Sequence, residues 1–171
     1  MTQNLRRMTD SDLEQVFEWR NHPDVSRFMY TDHKITLNEH RQWFLKASKN
    51  AAVNLLIFEL DGASSGFVNI TRSRCSAVAD WGFYISPDAP KGAGRELGYA
   101  ALTHGFSALG LHKICGEAIE FNERSIAFHH ALGFKQEGRL RDQHRKSQRF
   151  YDVICFGLLA REWRPNTKEQ D

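Results

Sequence analysis

Ser86 to Leu102, SPDAPKGAGRELGYAAL, is the stretch whose reading decides the fold. A strand ends ahead of it, a glycine-bearing loop follows, and a helix starts near Ala93. Such a loop leaves backbone N–H groups pointing at one spot. Gly92 and Gly94 have no Cβ, so a ligand can come close to the backbone. The helix N-terminus adds its positive dipole end, and the combination suits a pyrophosphate. The spacing is neither G-x-x-x-x-G-K-[ST] nor G-x-G-x-x-G, so a P-loop NTPase and a dinucleotide Rossmann site both fit poorly.

Outward from this loop, strand and helix patterns alternate. Asn4 to Met8 reads as a short strand. Thr9-Asp10-Ser11-Asp12 resembles a capping box ahead of Leu13, Val16, Phe17 and Arg20 at helical spacing. Pro23 stops or bends that helix. Thr36-Leu37-Asn38-Glu39 is a second capping box, with Leu37, His40, Trp43, Phe44 and Ala47 on one helical face. Asn54–Leu60, Ser65–Arg72 and Val78–Ser86 read as strands, with an Asp61-Gly62 turn between the first two. The loop helix runs from Ala93 to about Leu109. His112–Ile119 is a strand, Asn122 caps a short helix, and Gly133 ends it. Phe134–Arg141 and Gln148–Leu159 close the chain as a hairpin. The order β-α-α-β-β-β-α-β-α-β-β predicts an α/β (α+β) single domain with a mixed sheet and helices on both faces.

The composition narrows the class. The chain has 171 residues, enough for one domain with a real core, and a net charge of +2. A dedicated nucleic-acid binder carries a stronger basic excess. The basic run Arg139 to Arg149 is interrupted by Asp142, has no interleaved aromatics, and reads as a solvated hairpin turn. No apolar stretch approaches a membrane span, and the N-terminus has no hydrophobic leader. The three cysteines, Cys75, Cys115 and Cys155, are widely separated, which argues against a disulfide framework or zinc site and for a reduced, cytoplasmic setting. No metal is expected: His129 and His130 point about 100° apart on a helix and do not share an ion easily.

Asn122 to Gly138, NERSIAFHHALGFKQEG, carries a second pattern. Together with the Ser86–Leu102 loop it resembles the GNAT N-acetyltransferases, and the resemblance covers nearly the whole chain. It implies the GNAT fold over residues 1–164, with 165–171 as a polar tail, and acetyl-CoA as co-substrate. The implied cofactor contacts are Tyr84, Ile85, Lys91, Gly92, Ala93, Gly94, Arg95, Glu96, Asn122 and Phe128. Backbone N–H groups around Tyr84 to Ser86 would polarise the thioester carbonyl. One departure stands out. Many members carry a tyrosine four residues before the G-F glycine, where it protonates the leaving thiolate; here that position is His129. Histidine has the pKa for an acid, and a packing histidine is the other reading.

The N-terminal half narrows the resemblance to family members acting on UDP-linked 4-amino-4,6-dideoxy sugars in pseudaminic acid biosynthesis. The residues that carry it are Trp19-Arg20-Asn21-His22-Pro23-Asp24, Phe28-Met29-Tyr30, Glu39-His40 and Trp43. It implies that Arg20 and His40 contact the UDP part, that Met29, Tyr30 and Trp43 line an apolar pocket for the 6-methyl group, and that Thr71 and Arg72 face the nucleotide. The structural alternatives are core packing for Met29 and Trp43 and an ion pair for Arg20. Glu117 is the first candidate base, acting through water, and Asp80 the second; Asn69 positions the amine or the water. Asn69 and Asp80 replace residue types expected in relatives. Two rivals stay open: a protein N-terminal, ribosomal-protein or small-amine acetyltransferase, and a non-catalytic acyl-CoA-binding module. The late strands of the fold often mediate dimers, so a homodimer is a candidate assembly.

Overall fold

The computed structural model describes residues 2–165, so nearly all of the expected polar tail lies outside the described residues. Strand β1 (Gln3–Arg7) leads into a single 3₁₀ turn, Asp10–Asp12, whose capping box is formed as the sequence predicts. Asp12 is buried, and both of its oxygens accept from Arg6 at 2.8 Å. Arg6 also donates to Glu59, so one guanidinium ties β1, its neighbouring strand and the turn together. Helix α1 (Leu13–Asn21) ends before Pro23, but Pro23 does more than stop it. It occupies the first position of a one-turn helix, α2 (Pro23–Ser26), where its missing N–H is no loss. Helix α3 (Leu37–Ser48) is capped by Thr36 and Glu39. The Thr36 N–H and hydroxyl and His33 hold the Glu39 carboxyl down to about 2.

The remaining elements are β2 (Val53–Leu60), β3 (Ala63–Arg72), β4 (Val78–Ile85), α4 (Ala93–Thr103), β5 (Lys113–Ile119), α5 (Glu123–Ala131), β6 (Lys135–Lys146) and β7 (Arg149–Leu159). They build a seven-stranded mixed sheet in the order β1-β2-β3-β4-β5-β7-β6. Side chains alternate across it, so β2 and β3 feed a core on each face. On one face Phe58, Val68, Ile70 and Ile114 pack with Leu97 and Leu102 of α4 and Leu132 after α5. On the other, Leu55, Ile57 and Phe67 pack with Val16 and Trp19 of α1 and Phe44 of α3. The expected α/β fold with helices on both faces is therefore present.

Two departures position the functional site. β4 and β5 are the parallel pair, and they join only at Val78–Asp80 against Lys113–Cys115. Beyond that point β4 keeps β3 and β5 keeps β7, and the two strands part. The second departure is the last hairpin. The basic run expected as a turn is the second half of β6, and the turn itself is only Ser147-Gln148. Both turn residues have positive φ, 49° and 65°, as a two-residue type I′ connection requires. The hairpin is long enough to reach back over the sheet to the segment after α2.

Candidate active site

The parting of β4 and β5 exposes the β4 backbone. Ser86 N–H donates to Ser65 O at 2.9 Å. Hydrogen-bonded positions alternate along an antiparallel ladder, so Tyr84 and Gly82 also turn toward β3. The N–H groups that face the β5 side are then those of Phe83 and Ile85. This corrects the expected donor set around Tyr84 to Ser86. Gly82 lies on the same strand with nothing within 4 Å of where a Cβ would sit. A side-chain-free position in the middle of a strand lets a ligand lie against the backbone. Gly82 was missed from sequence, although an isolated glycine inside an aromatic strand pattern was a legible signal.

The loop after β4 has the predicted character. Gly92 caps α4 at φ 95°, a left-handed conformation. The N–H of Ala93 bonds to Pro90 O, and those of Arg95 and Glu96 bond to Gly92 O. Among the described residues the N–H groups of Lys91, Gly92 and Gly94 reach no backbone carbonyl. A Cβ at Gly94 would make only an ordinary contact, 3.7 Å to Ile85. The protein's own packing therefore does not require glycine there, and the room is left for a ligand. Lys91 and Arg95 are exposed beside it, with Arg95 lying over Tyr99. The diphosphate of a CoA-type cofactor fits these donors and charges. Two expected contacts do not join them. Ala93 is buried and contributes backbone only. The Glu96 carboxylate is taken by Gln3 of β1, so it ties helix to strand.

Helix α5 closes the back of the parting. Asn122 accepts from Ser125 N–H at 3.1 Å as the N-cap. Phe128 packs 4.9 Å from Phe83 and fills the space that Gly98 leaves open. His129 is 1% exposed and stacked 4.7 Å from Phe156. Its Nε2 accepts from the Trp81 indole N–H at 3.1 Å, and its Nδ1 donates to Ser125 O at 2.8 Å. Burial pushes its pKa down to about 4. A neutral ring with both nitrogens engaged has no proton to give, so the geometry is that of the packing histidine and not of the expected acid.

The opposite face of the sheet carries the acceptor side. Asp80, Gly82 and Tyr84 of β4 share this face with Asn69 and Thr71 of β3 and with Glu117 of β5. Thr71 donates to Asn69 Oδ1 at 2.9 Å. Burial, and then the charge on Glu117, raise the pKa of Asp80. Tyr84 packs on Phe67 at 5.1 Å, and Phe67 meets Trp43 at 5.8 Å. Trp43 stacks on His40, a buried ring whose Nε2 has no partner among the described residues. Arg20 stands between them and the loop after α2: its charge is felt by His40 and Tyr84, and it donates to Thr31 Oγ1 at 2.6 Å. Burial lowers the pKa of both Arg20 and His40. Tyr30 donates to Glu117 Oε2 at 2.9 Å, a contact that sequence reasoning missed. Met29 contributes its carbonyl to Lys146 at 2.8 Å.

Arg72 does not belong to this group. One residue beyond Thr71, it projects to the other face, where it donates to Leu109 O at 2.7 Å and to Ser76 O. It closes the π-helical turn His104–Ala108 that continues α4. The expected nucleotide contact at Arg72 is corrected on that ground. A groove of about 560 Å³, lined by Glu120, Phe121, Lys146, Ser147, Arg149 and Tyr151, opens at the hairpin tip. Among the described residues no group of three metal-type side chains gathers, and no helix is long and apolar enough to cross a membrane.

A parted sheet, a glycine loop at a helix N-terminus and a carboxylate-lined face beside them define an acyl-transfer enzyme fold. The model of the acetyltransferase (GNAT) domain matches residues 4–135, and the chain belongs to the GNAT family as an N-acetyltransferase. Acetyltransferase PseH of Campylobacter jejuni is 27% identical over 126 residues, covering 72% of this chain and 76% of that one. The prophage-derived N-acetyltransferase YokL of Bacillus subtilis is 28% identical over 132 residues, covering 75% and 74%. Among solved structures, the spermidine N-acetyltransferase of Vibrio cholerae in complex with CoA and spermine superposes with a TM-score of 0.85. It shares 22% identity over 94% of this chain and 96% of that one, a likeness of fold.

Proposed function

We propose that this N-acetyltransferase uses acetyl-CoA to acetylate the amine of a UDP-linked 4-amino-4,6-dideoxy sugar in the pseudaminic acid pathway. One observation carries the acceptor reading: the site has two ends of opposite character. At one end, the Asp80 and Glu117 carboxylates face the parting of the strands. At the other, Arg20 stands beside His40, whose buried Nε2 is left without a partner. An orphaned buried nitrogen is costly unless a ligand satisfies it. Between the ends, Trp43 and the Tyr30 ring offer apolar surface to a methyl group. An amine at the carboxylate end and a phosphate at the Arg20–His40 end match a nucleotide-linked amino sugar. The resemblance to PseH over 72% of the chain supports the same substrate class.

Acetyl-CoA would supply an activated acetyl thioester. Lys91, Gly92 and Gly94 N–H groups would hold its diphosphate, and of the Phe83 and Ile85 N–H groups one would face the thioester oxygen and the other the pantetheine arm. The acceptor amine must be neutral to attack. A sugar amine has a pKa of about 8, nearer an α-amino group than lysine, so a modest base suffices. Glu117 would take the proton through a water, with Asn69 and Thr71 placing that water or the amine. Asp80 stands beside Glu117 as the second carboxylate. Since His129 has no free proton, the departing thiolate would take its proton from solvent in the open cleft.

A polyamine or protein-amine acceptor is the second reading. The acidic pair by itself would suit a cationic amine, and the solved structure of similar fold is a spermidine enzyme. The test is CoA release with acetyl-CoA and a panel of UDP-4-amino-4,6-dideoxy-N-acetyl-altrosamine, spermidine and N-terminal peptides. The expected result is a kcat/KM for the nucleotide sugar at least about a hundredfold above the others, the discrimination that an apolar pocket alone reaches and that unpaired polar groups exceed. Turnover confined to spermidine or peptides would overturn the acceptor reading.

A further inference from the structure

We propose that Tyr30 is a positioning residue for the Glu117 carboxylate and that Lys146, at the tip of the β6–β7 hairpin, holds Tyr30 in place. The inference rests on the reading of Glu117 as the base. Residues 27–33 form no strand or helix, yet several side chains tie them down. Lys146 Nζ donates to Met29 O at 2.8 Å and to Ser26 O at 3.4 Å. Arg20 donates to Thr31. Phe28 stacks on Phe121 at 6.1 Å, directly after β5. Tyr30 then turns inward and donates its hydroxyl to Glu117.

The surroundings of Tyr30 fit a placed donor better than a plain wall. His144 of β6 meets its ring edge-on at 4.8 Å, and His144 Nε2 is buried with no partner among the described residues. Cys155 of β7 pairs across from Glu117, beside Tyr30. Tyr30 is thus enclosed by β5, β6 and β7, while half its surface remains open on the acceptor side. A carboxylate on a strand has two free torsions beyond Cβ, and the phenol fixes one oxygen and leaves the other for the amine or its water. The ring still lines the acceptor pocket. The hydroxyl is what sets the base.

Lys146 explains why a loop can do this. Its ammonium is partly desolvated, which lowers its pKa, and it satisfies the Met29 carbonyl, which no backbone N–H reaches among the described residues, while sharing Ser26 O at the end of α2 with the Met29 N–H. The long hairpin and its tight turn deliver it there. Without that anchor, the path of the segment between the Phe28 ring and the Thr31 hydroxyl is held on the hairpin side by Tyr30 alone.

The test combines kinetics with a readout that needs no acceptor. Tyr30→Phe, Lys146→Gln, Glu117→Gln and the Tyr30→Phe/Glu117→Gln double variant are assayed by CoA release with the preferred amine of the panel. In parallel, iodoacetamide labelling of half-buried Cys155 is followed against exposed Cys75 by mass spectrometry. Tyr30→Phe should lower kcat about tenfold, the rate equivalent of one charge-assisted hydrogen bond, with the acceptor KM changed less than about twofold. The double variant should be no slower than Glu117→Gln alone. Lys146→Gln and Tyr30→Phe should both speed Cys155 labelling by about fivefold or more, as local opening allows. An unchanged kcat with a raised KM, or unchanged labelling in both single variants, overturns the inference. If Glu117→Gln keeps full activity, the base assignment has failed instead, and the labelling arm alone then decides whether Tyr30 and Lys146 hold the segment.

Discussion

His129 shows how much a single ring can do without touching a substrate. It accepts from Trp81 on β4, donates to Ser125 on α5 and stacks on Phe156 of β7. Its neutral form is the one that fits. Because its folded pKa is depressed to about 4 from 6.5, its contribution to stability is full above pH 6.5 and lost as pH falls toward 4. Across that window the loss is roughly 1.4 kcal/mol for each pH unit. Replacing it as His129→Phe should flatten the fall of Tm between pH 6.5 and 4. At pH 7 it should cost about 1–3 kcal/mol, because the Trp81 N–H is orphaned. Activity per folded molecule should persist, measured as kcat on protein that retains its near-UV spectrum. A kcat loss of a hundredfold or more would restore the proton-donor role. From sequence the position was legible but its use was not, since the residue that engages it, Trp81, lies 48 positions away. Arg72 was misassigned. It was expected to face the nucleotide together with its neighbour Thr71, but consecutive residues of β3 point to opposite faces of the sheet.

At the scale of elements, the loop before α4 was the most legible part because its chemistry is local. Turn, glycines and helix start all fall within a dozen residues. Gly94 offers a clean test. Gly94→Ala meets only Ile85 at an ordinary distance, so Tm should stay within about 2 °C. Acetyl-CoA affinity should fall about tenfold or more, read by calorimetry, because the new methyl occupies the approach to the loop. Gly116 is the contrast. A Cβ there would sit 2.4 Å from His129 Nε2 and 2.7 Å from Trp81 Nε1. Gly116→Ala should therefore destabilise by about 1–3 kcal/mol in denaturant unfolding. The parting of β4 from β5 was not legible, because nothing in either strand's pattern says where a parallel pair stops bonding. Nor was the contact from Tyr30 to Glu117, which joins residues 87 positions apart.

Over the whole molecule, the sheet has two edges, β1 and β6. β1 is five residues long, while β6 runs for twelve and lacks a partner on its outer side among the described residues. A long bare edge can recruit strands from other molecules. The pairing of β6 with β7 slips twice, between Gln136 and Gly138 and between Leu140 and His144. At the second slip Asp142 takes φ 49°, with its N–H held by Asp152. Arg139, Arg141 and Arg145 are exposed along the same strand. The irregularities that aim the hairpin tip at the substrate loop thus also ruin β6 as a template: its outer hydrogen-bonding row is bent twice and guarded by cations. Mutational straightening of this strand would be expected to show first as clumping in the test tube, before any change in the chemistry.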